Sequence, residues 1–359
     1  MLLFPLLALL ICANAISATI PSLLEESANE ENLRVLTEKT LALLREEVSL
    51  PAPFPIPNDV LSNNVTLPDL TGVEALIVGG SKGNGNATAW IAYNQGASVT
   101  ITSRDRDTVN NSLYNVMDLD YCMKGSVDRF WNKYLQQHDG YRPSLVGLFG
   151  LQYYQGDMLD FDLEHMECAM QMYVIGPLYL MGKIIKHVDP DGVRRPLNIS
   201  IALSAAGYGA GTSFLGLYAG GKAILKDFIR DFAVYSGPHY YPEVRITGIA
   251  CAYAKTTLTA TSYNPSVEKG DALNIKLQQQ VLVIQNQVGS NPYDIGFAHM
   301  IGLTLLTKAN NTIYLVPVLT GRGTSDLLYS IYVSDNTTQF VKDTYVVYNF
   351  LGVNIPSYI

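Results

Sequence analysis

The feature that most constrains the fold is a glycine-rich turn between an apolar run and a helical pattern. The chain reads EALIVGG over residues 74–80, SKGNGN over 81–86, ATAWIAYNQG over 87–96 and ASVTITSR over 97–104. A short apolar run bounded by glycines is typical of a buried strand, and ASVTITSR is rich in the β-branched residues that strands favour. The order strand, glycine turn, helix, strand predicts a βαβ unit with parallel strands.

The same alternation continues downstream. Further strands are predicted at 144–149, 197–203, 244–250 and 312–319, and helices at 162–187 and 217–235. Strands that alternate with helices form parallel sheets with right-handed crossovers. The sequence therefore predicts an α/β fold with a doubly wound parallel sheet of the Rossmann type, in a single main domain.

Composition agrees with a globular domain and argues against some functions. The chain has 359 residues, of which 48% are hydrophobic and 16% are charged, so there is enough apolar material for a large core. Its formal net charge of -8 argues against non-specific binding to nucleic acid, which needs a basic surface. No CxxC or HExxH spacing occurs, so no metal site is predicted.

The first residues resemble a targeting segment. Residues 1–24 carry no charged side chain, and the apolar run from Leu2 to Ile11 is followed by Ala13 and Ala15, as at an A-x-A cleavage site. We interpret 1–20 as a signal peptide or membrane anchor, with cleavage favoured over anchoring. Either predicts the secretory pathway: the endoplasmic reticulum lumen or membrane, or secretion. An uncleaved anchor would associate the protein with a membrane through this segment.

Three further segments complete the predicted organisation. Residues 21–72 contain an amphipathic helical pattern at 25–48 and a linker with four prolines within 51–57, which favours an extended connector. The main domain is assigned to 73–323. Residues 324–359 form a tyrosine-rich C-terminal tail.

Cysteines and glycosylation sequons bear on the compartment. Beyond the leader, Cys122, Cys168 and Cys251 are widely separated, so no disulfide framework is predicted. N-x-S/T sequons begin at Asn64, Asn86, Asn110, Asn198, Asn310 and Asn336. Because a glycan needs an exposed loop, we discount Asn86, which opens a predicted helix, and Asn198, which begins a predicted central strand. The other four predict a glycoprotein.

The glycine turn has the properties of a phosphate-binding loop. Glycines permit a tight turn and close approach of a pyrophosphate, and a helix N-terminus offers free N–H groups. After the second predicted strand the chain presents Ser103 and Arg104, where an NAD site would more often present an acidic residue. A guanidinium there suits a 2'-phosphate, and Lys82 adds a second cation. We therefore expect NADP(H), with NAD(H) less favoured.

The turn also resembles that of the short-chain dehydrogenase/reductase family, T-G-x-x-x-G-x-G. Val78 stands in place of the threonine, and Gly79, Gly83 and Gly85 match the three glycines. The resemblance covers roughly residues 73–323. It implies a Rossmann-type cofactor domain and an activity that interconverts a carbonyl and a secondary alcohol.

The predicted catalytic residues are Ser204, Tyr218 and Lys222. Ser204 ends a predicted strand, and Tyr218 and Lys222 are four residues apart at the start of a predicted helix, so the last two share a helix face. Hydride transfer to a carbonyl develops negative charge on oxygen, which a phenol can neutralise by donating a proton. We expect Lys222 to lower the pKa of Tyr218, and Ser204 to hydrogen-bond the substrate oxygen.

The resemblance also implies the cofactor contacts. The segment IACAYAKT, residues 249–256, takes the place of the family's P-G-x-x-x-T, so Thr256 matches a cofactor-contacting threonine. The full predicted cofactor set is Gly79, Ser81, Lys82, Gly83, Asn84, Gly85, Ser103, Arg104, Tyr218, Lys222 and Thr256.

The chain departs from the family pattern at four places. Residues 147–150 read GLFG in place of N-N-A-G, and Tyr173 stands where the family has the helix asparagine of its proton relay. Cys251 and Ala252 replace Pro-Gly, and one extra residue separates Ser204 from Tyr218. These departures put the relay through a bound water in doubt.

Three functional hypotheses follow. The first is an NADP(H)-dependent oxidoreductase acting on a small-molecule carbonyl or alcohol, with a homo-oligomer left open. The second is a catalytically weak nucleotide-binding or regulatory protein of the same fold, which the missing asparagines favour. The third is a secreted interaction protein that uses the 324–359 tail.

Overall fold

The structure is a computed structural model, and it describes residues 67–105, 109, 113–150, 154–208, 215–251, 254, 256, 258, 263–276, 278–279, 292–304, 313–316 and 329–331. The predicted leader, the helix at 25–48, the proline-rich linker and most of the tail lie outside these residues. So do the sequon asparagines Asn64, Asn110, Asn310 and Asn336.

Eight strands in the described part of the chain form one sheet, in the order β3-β2-β1-β4-β5-β6-β7-β8. They are β1 (Glu74–Val78), β2 (Ser98–Ser103), β3 (Asn115–Asp118), β4 (Leu145–Leu148), β5 (Leu197–Ser204), β6 (Val244–Cys251), β7 (Ile313–Val316) and β8 (Tyr329–Ile331). All neighbours are parallel except β7 and β8. The chain runs outward from β1 to β3 and then returns to β4 on the other side, so the predicted doubly wound fold is confirmed.

Helices follow the strands in alternation. They are α1 (Gly83–Asn94), α2 (Ser126–Gln137), α3 (Leu163–Met170), α4 (Gly176–Lys186), α5 (Gly216–Asp231), α6 (Gly237–Tyr240), α7 (Pro265–Glu268) and α8 (Pro292–Thr304). A π-helical turn, Gln171–Ile175, joins α3 to α4, and a second one, Phe232–Ser236, joins α5 to α6. The two long helices predicted from the sequence therefore exist, each interrupted by a wider turn.

The core lies between the sheet and the helices on its faces. Helices α1 and α8 pack on each other and on the central strands, where Ile77, Ile101 and Met300 are fully buried. Strand β1 is buried on both faces, as is typical of a central parallel strand. Among the described residues, Leu163–Lys186 is long and apolar enough to cross a membrane, but 56% of its apolar window is buried inside the protein, as in a core helix.

Two strands were not predicted from the sequence. Strand β3 is a short edge strand with the sequence NVMD, in which only Met117 is buried, so it lacks the apolar run that identifies a strand. Strand β8 lies within the residues assigned to the C-terminal tail and pairs with β7. At least these three residues of the tail belong to the sheet.

A disulfide joins Cys122 to Cys168, with the two Cα atoms 4.8 Å apart. It links the segment after β3 to helix α3, across 46 residues of sequence. Cys251 is a free, buried thiol. Sequence analysis missed this pairing because the two cysteines meet only through the fold.

The two discounted sequons have occupied side-chain amides. Asn86 Nδ2 donates to the carbonyl oxygen of Gly80 at 3.3 Å, and Asn198 Nδ2 donates to that of Leu303 at 2.9 Å. A glycan is attached through this same nitrogen, so both geometries agree with the exclusion of these sites.

Candidate active site

The candidate site lies at the carboxyl edge of the sheet, where parallel strands bring their C-terminal ends together. The glycine turn follows β1, Gly150 lies just beyond β4, and Ser204 and Cys251 end β5 and β6 as register partners. Ligands of open α/β sheets bind outside this edge, where the strand order reverses. The fold therefore collects residues that are far apart in sequence.

Backbone geometry explains the glycines of the turn. Gly79 has a φ of 74°, a left-handed conformation that side chains disfavour. A Cβ at Gly85 would overlap the carbonyl oxygen of Gly79, so the helix can approach the turn this closely only with glycine there. Gly79 N donates to Thr102 Oγ1 at 3.0 Å, which fastens the turn to β2.

The N-terminus of α1 is open to an anion. Lys82 is the N-cap residue, its side chain makes no capping hydrogen bond, and the first turn of the helix contains no acidic residue. The first N–H groups of the helix and its positive dipole end are therefore available to a phosphate. Lys82 is exposed, Ser81 and Asn84 are half-buried, and the Oδ1 atom of Asn84 is buried without a hydrogen-bond partner in the described structure.

The predicted 2'-phosphate residues lie at the end of β2. Ser103 is buried, and its hydroxyl donates to the carbonyl oxygen of Asp105 at 3.0 Å, while Arg104 is exposed. The neighbouring Thr102 accepts the hydrogen bond from the glycine turn, so β2 delivers Arg104 beside the turn. Burial raises the pKa of Tyr154, and the positive charge of Arg104 opposes that shift.

Thr256 lies beside the glycine turn. A Cβ built on Gly83 would stand 3.1 Å from Thr256 Cγ2, so the two residues are in close contact. The structure therefore brings Thr256 to the glycine turn, as the resemblance implies.

Ser204, Tyr218 and Lys222 come together at the same edge. Ser204 is buried at the end of β5, and its side chain hydrogen-bonds with Tyr218 on the first turn of α5. Lys222 lies one turn later on α5, with Nζ 5.6 Å from the centre of the Tyr218 ring. The extra residue between Ser204 and Tyr218 does not prevent this arrangement.

Lys222 is buried under the site rather than exposed. Its Nζ donates to the carbonyl oxygen of Ala202 at 2.5 Å, and a Cβ built on Gly150 would stand 3.6 Å from it. Burial lowers the pKa of Lys222 to about 8, although the nearby Cys251 opposes that shift. Lys222 is therefore still an ammonium at neutral pH. One of its N–H groups is hydrogen-bonded to a backbone carbonyl oxygen.

The expectation that Lys222 lowers the pKa of Tyr218 is wrong. Burial raises the pKa of Tyr218 above its ordinary value, Cys251 adds to the rise, and the hydrogen bond with Ser204 opposes it only in part. Loss of hydration around the hydroxyl thus outweighs any help from the ammonium. Tyr218 is a neutral phenol across the physiological pH range.

Two further tyrosines belong to the site, and sequence reasoning missed their contribution. Tyr173 is fully buried in the π-helical turn, and its ring forms a T-shaped pair with that of Tyr218 at 5.5 Å between centroids. Its hydroxyl accepts a hydrogen bond from the backbone N–H of Tyr154 at 2.9 Å. The signal was Tyr173 itself, which stands in the place of an expected asparagine.

No protein-family model and no curated protein matches the sequence. Solved structures match by shape. An aldohexose dehydrogenase from Thermoplasma acidophilum, in ligand-free form, is 16% identical with a TM-score of 0.56, over 70% of this chain and 94% of that one. This chain has the short-chain dehydrogenase/reductase fold.

Two other structures with this fold were determined with cofactors. A 3-ketoacyl-(acyl-carrier-protein) reductase from Brucella melitensis, in complex with NADH, is 17% identical with a TM-score of 0.54, over 68% of this chain and 96% of that one. A short-chain dehydrogenase from Burkholderia cenocepacia, in complex with NADP, is 18% identical with a TM-score of 0.54, over 69% and 97%. Both nicotinamide cofactors thus occur among proteins of similar fold.

Proposed function

We propose that this protein is an NADP(H)-dependent oxidoreductase that interconverts a carbonyl and a secondary alcohol. The observation that carries the proposal is the assembly of Ser204, Tyr218 and Lys222 at the sheet edge that also holds the open glycine turn. Each part alone is a common feature of α/β proteins. Their meeting at one edge is what hydride transfer between a nucleotide and a small substrate requires.

The turn fits the pyrophosphate of a dinucleotide. Gly85 packs directly on the Gly79 backbone with no room for a side chain, and this tight turn together with the uncapped N–H donors of the helix end forms a cradle for phosphate. Arg104 and Lys82 supply positive charge for a 2'-phosphate, which supports NADP(H) over NAD(H). Thr256, in contact with Gly83, borders the same cradle.

The chain's own residues carry the proton chemistry. When a nicotinamide cofactor is bound it supplies the hydride to the carbonyl carbon, and the carbonyl oxygen then needs a proton. Tyr218 holds that proton on its neutral phenol and donates it, while Ser204 hydrogen-bonds at the same place. The phenolate that remains then regains its proton from solvent.

The raised pKa of Tyr218 means that its hydroxyl keeps its proton at neutral pH in the cofactor-free chain. A phenol that keeps its proton is ready to act as an acid, whereas alcohol oxidation needs a phenolate base.

The decisive experiment compares Tyr218→Phe with the wild-type protein. Both should bind NADPH, seen as enhanced nicotinamide fluorescence, but the variant should lose at least about 100-fold of the turnover on a panel of aldehydes and ketones, the typical contribution of a general acid. Tyr134→Phe is the matched control, because Tyr134 is a buried tyrosine on α2. NADPH binding without Tyr218-dependent turnover would favour the second candidate, a nucleotide-binding regulatory protein, which Tyr173 in place of the asparagine also favours.

Cofactor preference is tested at Arg104. Because a charge-assisted hydrogen bond is worth about 1.5–3 kcal/mol, Arg104→Ala should weaken NADPH binding by about 10- to 100-fold. Binding of NADH, which lacks the 2'-phosphate, should change little. Arg230→Ala, in the last turn of α5, is the charge-matched control, and an equal loss for both cofactors would overturn the assignment.

We also propose that the protein works in the secretory pathway. The disulfide between Cys122 and Cys168 supports this, because disulfides persist in oxidising compartments and are rare in the cytosol. The endoplasmic reticulum lumen is the compartment that combines oxidising conditions with NADPH.

A further inference from the structure

Tyr173 occupies an unusual place in the fold. It lies at the centre of the π-helical turn Gln171–Ile175, between α3 and α4, and it is 1% exposed. Such turns are rare and concentrate at functional sites, because the wider turn redirects a side chain that a regular helix would place elsewhere. Here the redirected side chain points at Tyr218.

The ring of Tyr173 is fixed from two sides. It forms a T-shaped pair with the ring of Tyr218, with 5.5 Å between centroids and an angle of 83°, a geometry that aromatic pairs favour. At the other end, its hydroxyl accepts the backbone N–H of Tyr154 at 2.9 Å. Tyr154 is itself buried, and its hydroxyl donates to the sulfur of Cys168 at 3.4 Å.

Helix α5 has a glycine, with no side chain, at the point where it contacts Tyr173. A Cβ at Gly221 would stand 2.5 Å from the Cβ of Tyr173, so only glycine lets the two backbones approach this closely. Gly221 lies between Tyr218 and Lys222 on α5. The contact with Tyr173 is therefore made at the helix turn that carries the two predicted catalytic residues.

We propose that Tyr173 is the positioning residue for Tyr218: its ring, packed at right angles to the Tyr218 ring, holds the catalytic phenol against Ser204. This inference rests on the proposed function. Burial raises the pKa of Tyr173 well above its ordinary value, so its hydroxyl stays protonated at neutral pH. It acts through Tyr218 by fixing a geometry.

The test compares Tyr173→Leu with Tyr173→Phe. Leucine removes the aromatic ring that packs on Tyr218. Since a displacement of a catalytic group by about 1 Å can cost about 100-fold in rate, kcat should fall by about that factor. Phenylalanine keeps the aromatic ring and loses only the hydroxyl, so this variant should retain most of the activity. In both variants KM and the Kd for NADPH should stay within about twofold of the wild-type values, since positioning acts on the chemical step.

Tyr134→Leu and Tyr134→Phe are the matched controls, because Tyr134 is equally buried but packs on Trp131 and His138 of α2 and its C-cap. They should lower thermal stability without lowering kcat of the folded protein. Equal kcat in Tyr173→Leu and wild type, or an equal loss in Tyr173→Phe and Tyr173→Leu, would overturn the positioning role.

A crystal structure of Tyr173→Leu separates this inference from the proposed function. We expect the Tyr218 hydroxyl to leave Ser204, and this can be seen whether or not a substrate is known. A Tyr218 that keeps its hydrogen bond to Ser204 in the variant sinks the inference even if the enzyme is active. Displacement of Tyr218 in a protein without any turnover supports the positioning contact and rejects the proposed function instead.

Discussion

His299 is a buried residue that the proposed reaction does not use, and it gives the protein a defined acid sensitivity. Its Nδ1 lies 2.7 Å from Ser200 Oγ on β5, and its ring packs on Phe149 at 4.5 Å. Burial lowers the pKa of His299 to about 3, and the charge of Lys222 adds to the shift. The imidazole is therefore neutral in the folded protein, whereas in the unfolded chain it binds a proton below about pH 6.5.

The stability of the folded protein therefore falls as the pH falls. The unfolded chain binds the extra proton, so stability is fully present above pH 6.5 and is lost as the pH falls toward 3. Between pH 7 and 4.5 the loss from this group should be about 2–3 kcal/mol. Because asparagine does not titrate, the free energy of unfolding of His299→Asn, measured with urea, should fall less steeply over that pH range. The control His239→Asn, at an exposed position, should show the same pH dependence as the wild type.

At this scale the sequence predicted the residue types better than their environment. Ser204, Tyr218 and Lys222 were predicted because two of them share a helix turn and the third ends a strand, and the structure brings the three together. The pKa of Tyr218 and the roles of Tyr173 and His299 depend on burial and on partners such as Ser200, 99 residues away from His299. Spacing within one element cannot supply that information.

Within the part of the chain that the structure describes, helix α3 is held by a covalent bond, the disulfide at Cys168. The disulfide between Cys122 and Cys168 closes a loop of 46 residues and anchors α3 three residues before the π-helical turn begins. Reducing it should lower the free energy of unfolding by about 2–4 kcal/mol, mainly because the unfolded chain regains freedom. Guanidinium unfolding with and without reductant measures this loss.

The cysteine variants make that test specific. The double variant Cys122→Ala and Cys168→Ala should be as unstable as the reduced protein and insensitive to reductant. Cys251→Ala should keep the reductant sensitivity, since Cys251 is a free thiol. Reductant sensitivity that survives in the double variant would refute a stabilising role for this bond.

Element existence was predictable where hydrophobic pattern and length agreed. Strands β1, β2, β5 and β6 and the helical segments 163–186 and 216–236 were found because each combines an apolar pattern with a typical length. Strand β3 was missed because it buries one residue at a sheet edge. The π-helical turns were missed because a single extra residue per turn leaves the helical pattern almost unchanged.

For the whole molecule, the order of elements was enough to predict the doubly wound topology. Once β1, the glycine turn and α1 are recognised, right-handed crossovers leave few alternatives for the strands that follow. The meeting of the segment after β3 with α3, which allows the disulfide, could not be read from the order. That bond now supports the secretory prediction, which the sequence based on the leader alone.

If the secretory prediction is right, some of the sequons should be glycosylated, while the fold should exclude Asn86 and Asn198. If the chain enters the endoplasmic reticulum, sequons in exposed segments receive glycans. The amide nitrogens of Asn86 and Asn198, however, donate hydrogen bonds to the backbone carbonyl oxygens of Gly80 and Leu303.

Expression of the full chain in eukaryotic cells should yield a glycoprotein whose mass falls on enzymatic deglycosylation. Asn198→Gln should leave the glycan mass unchanged, whereas Asn64→Gln and Asn110→Gln should each remove one glycan. An unglycosylated wild-type chain would argue against secretory entry, while a glycan on Asn198 would contradict its place in the central strand.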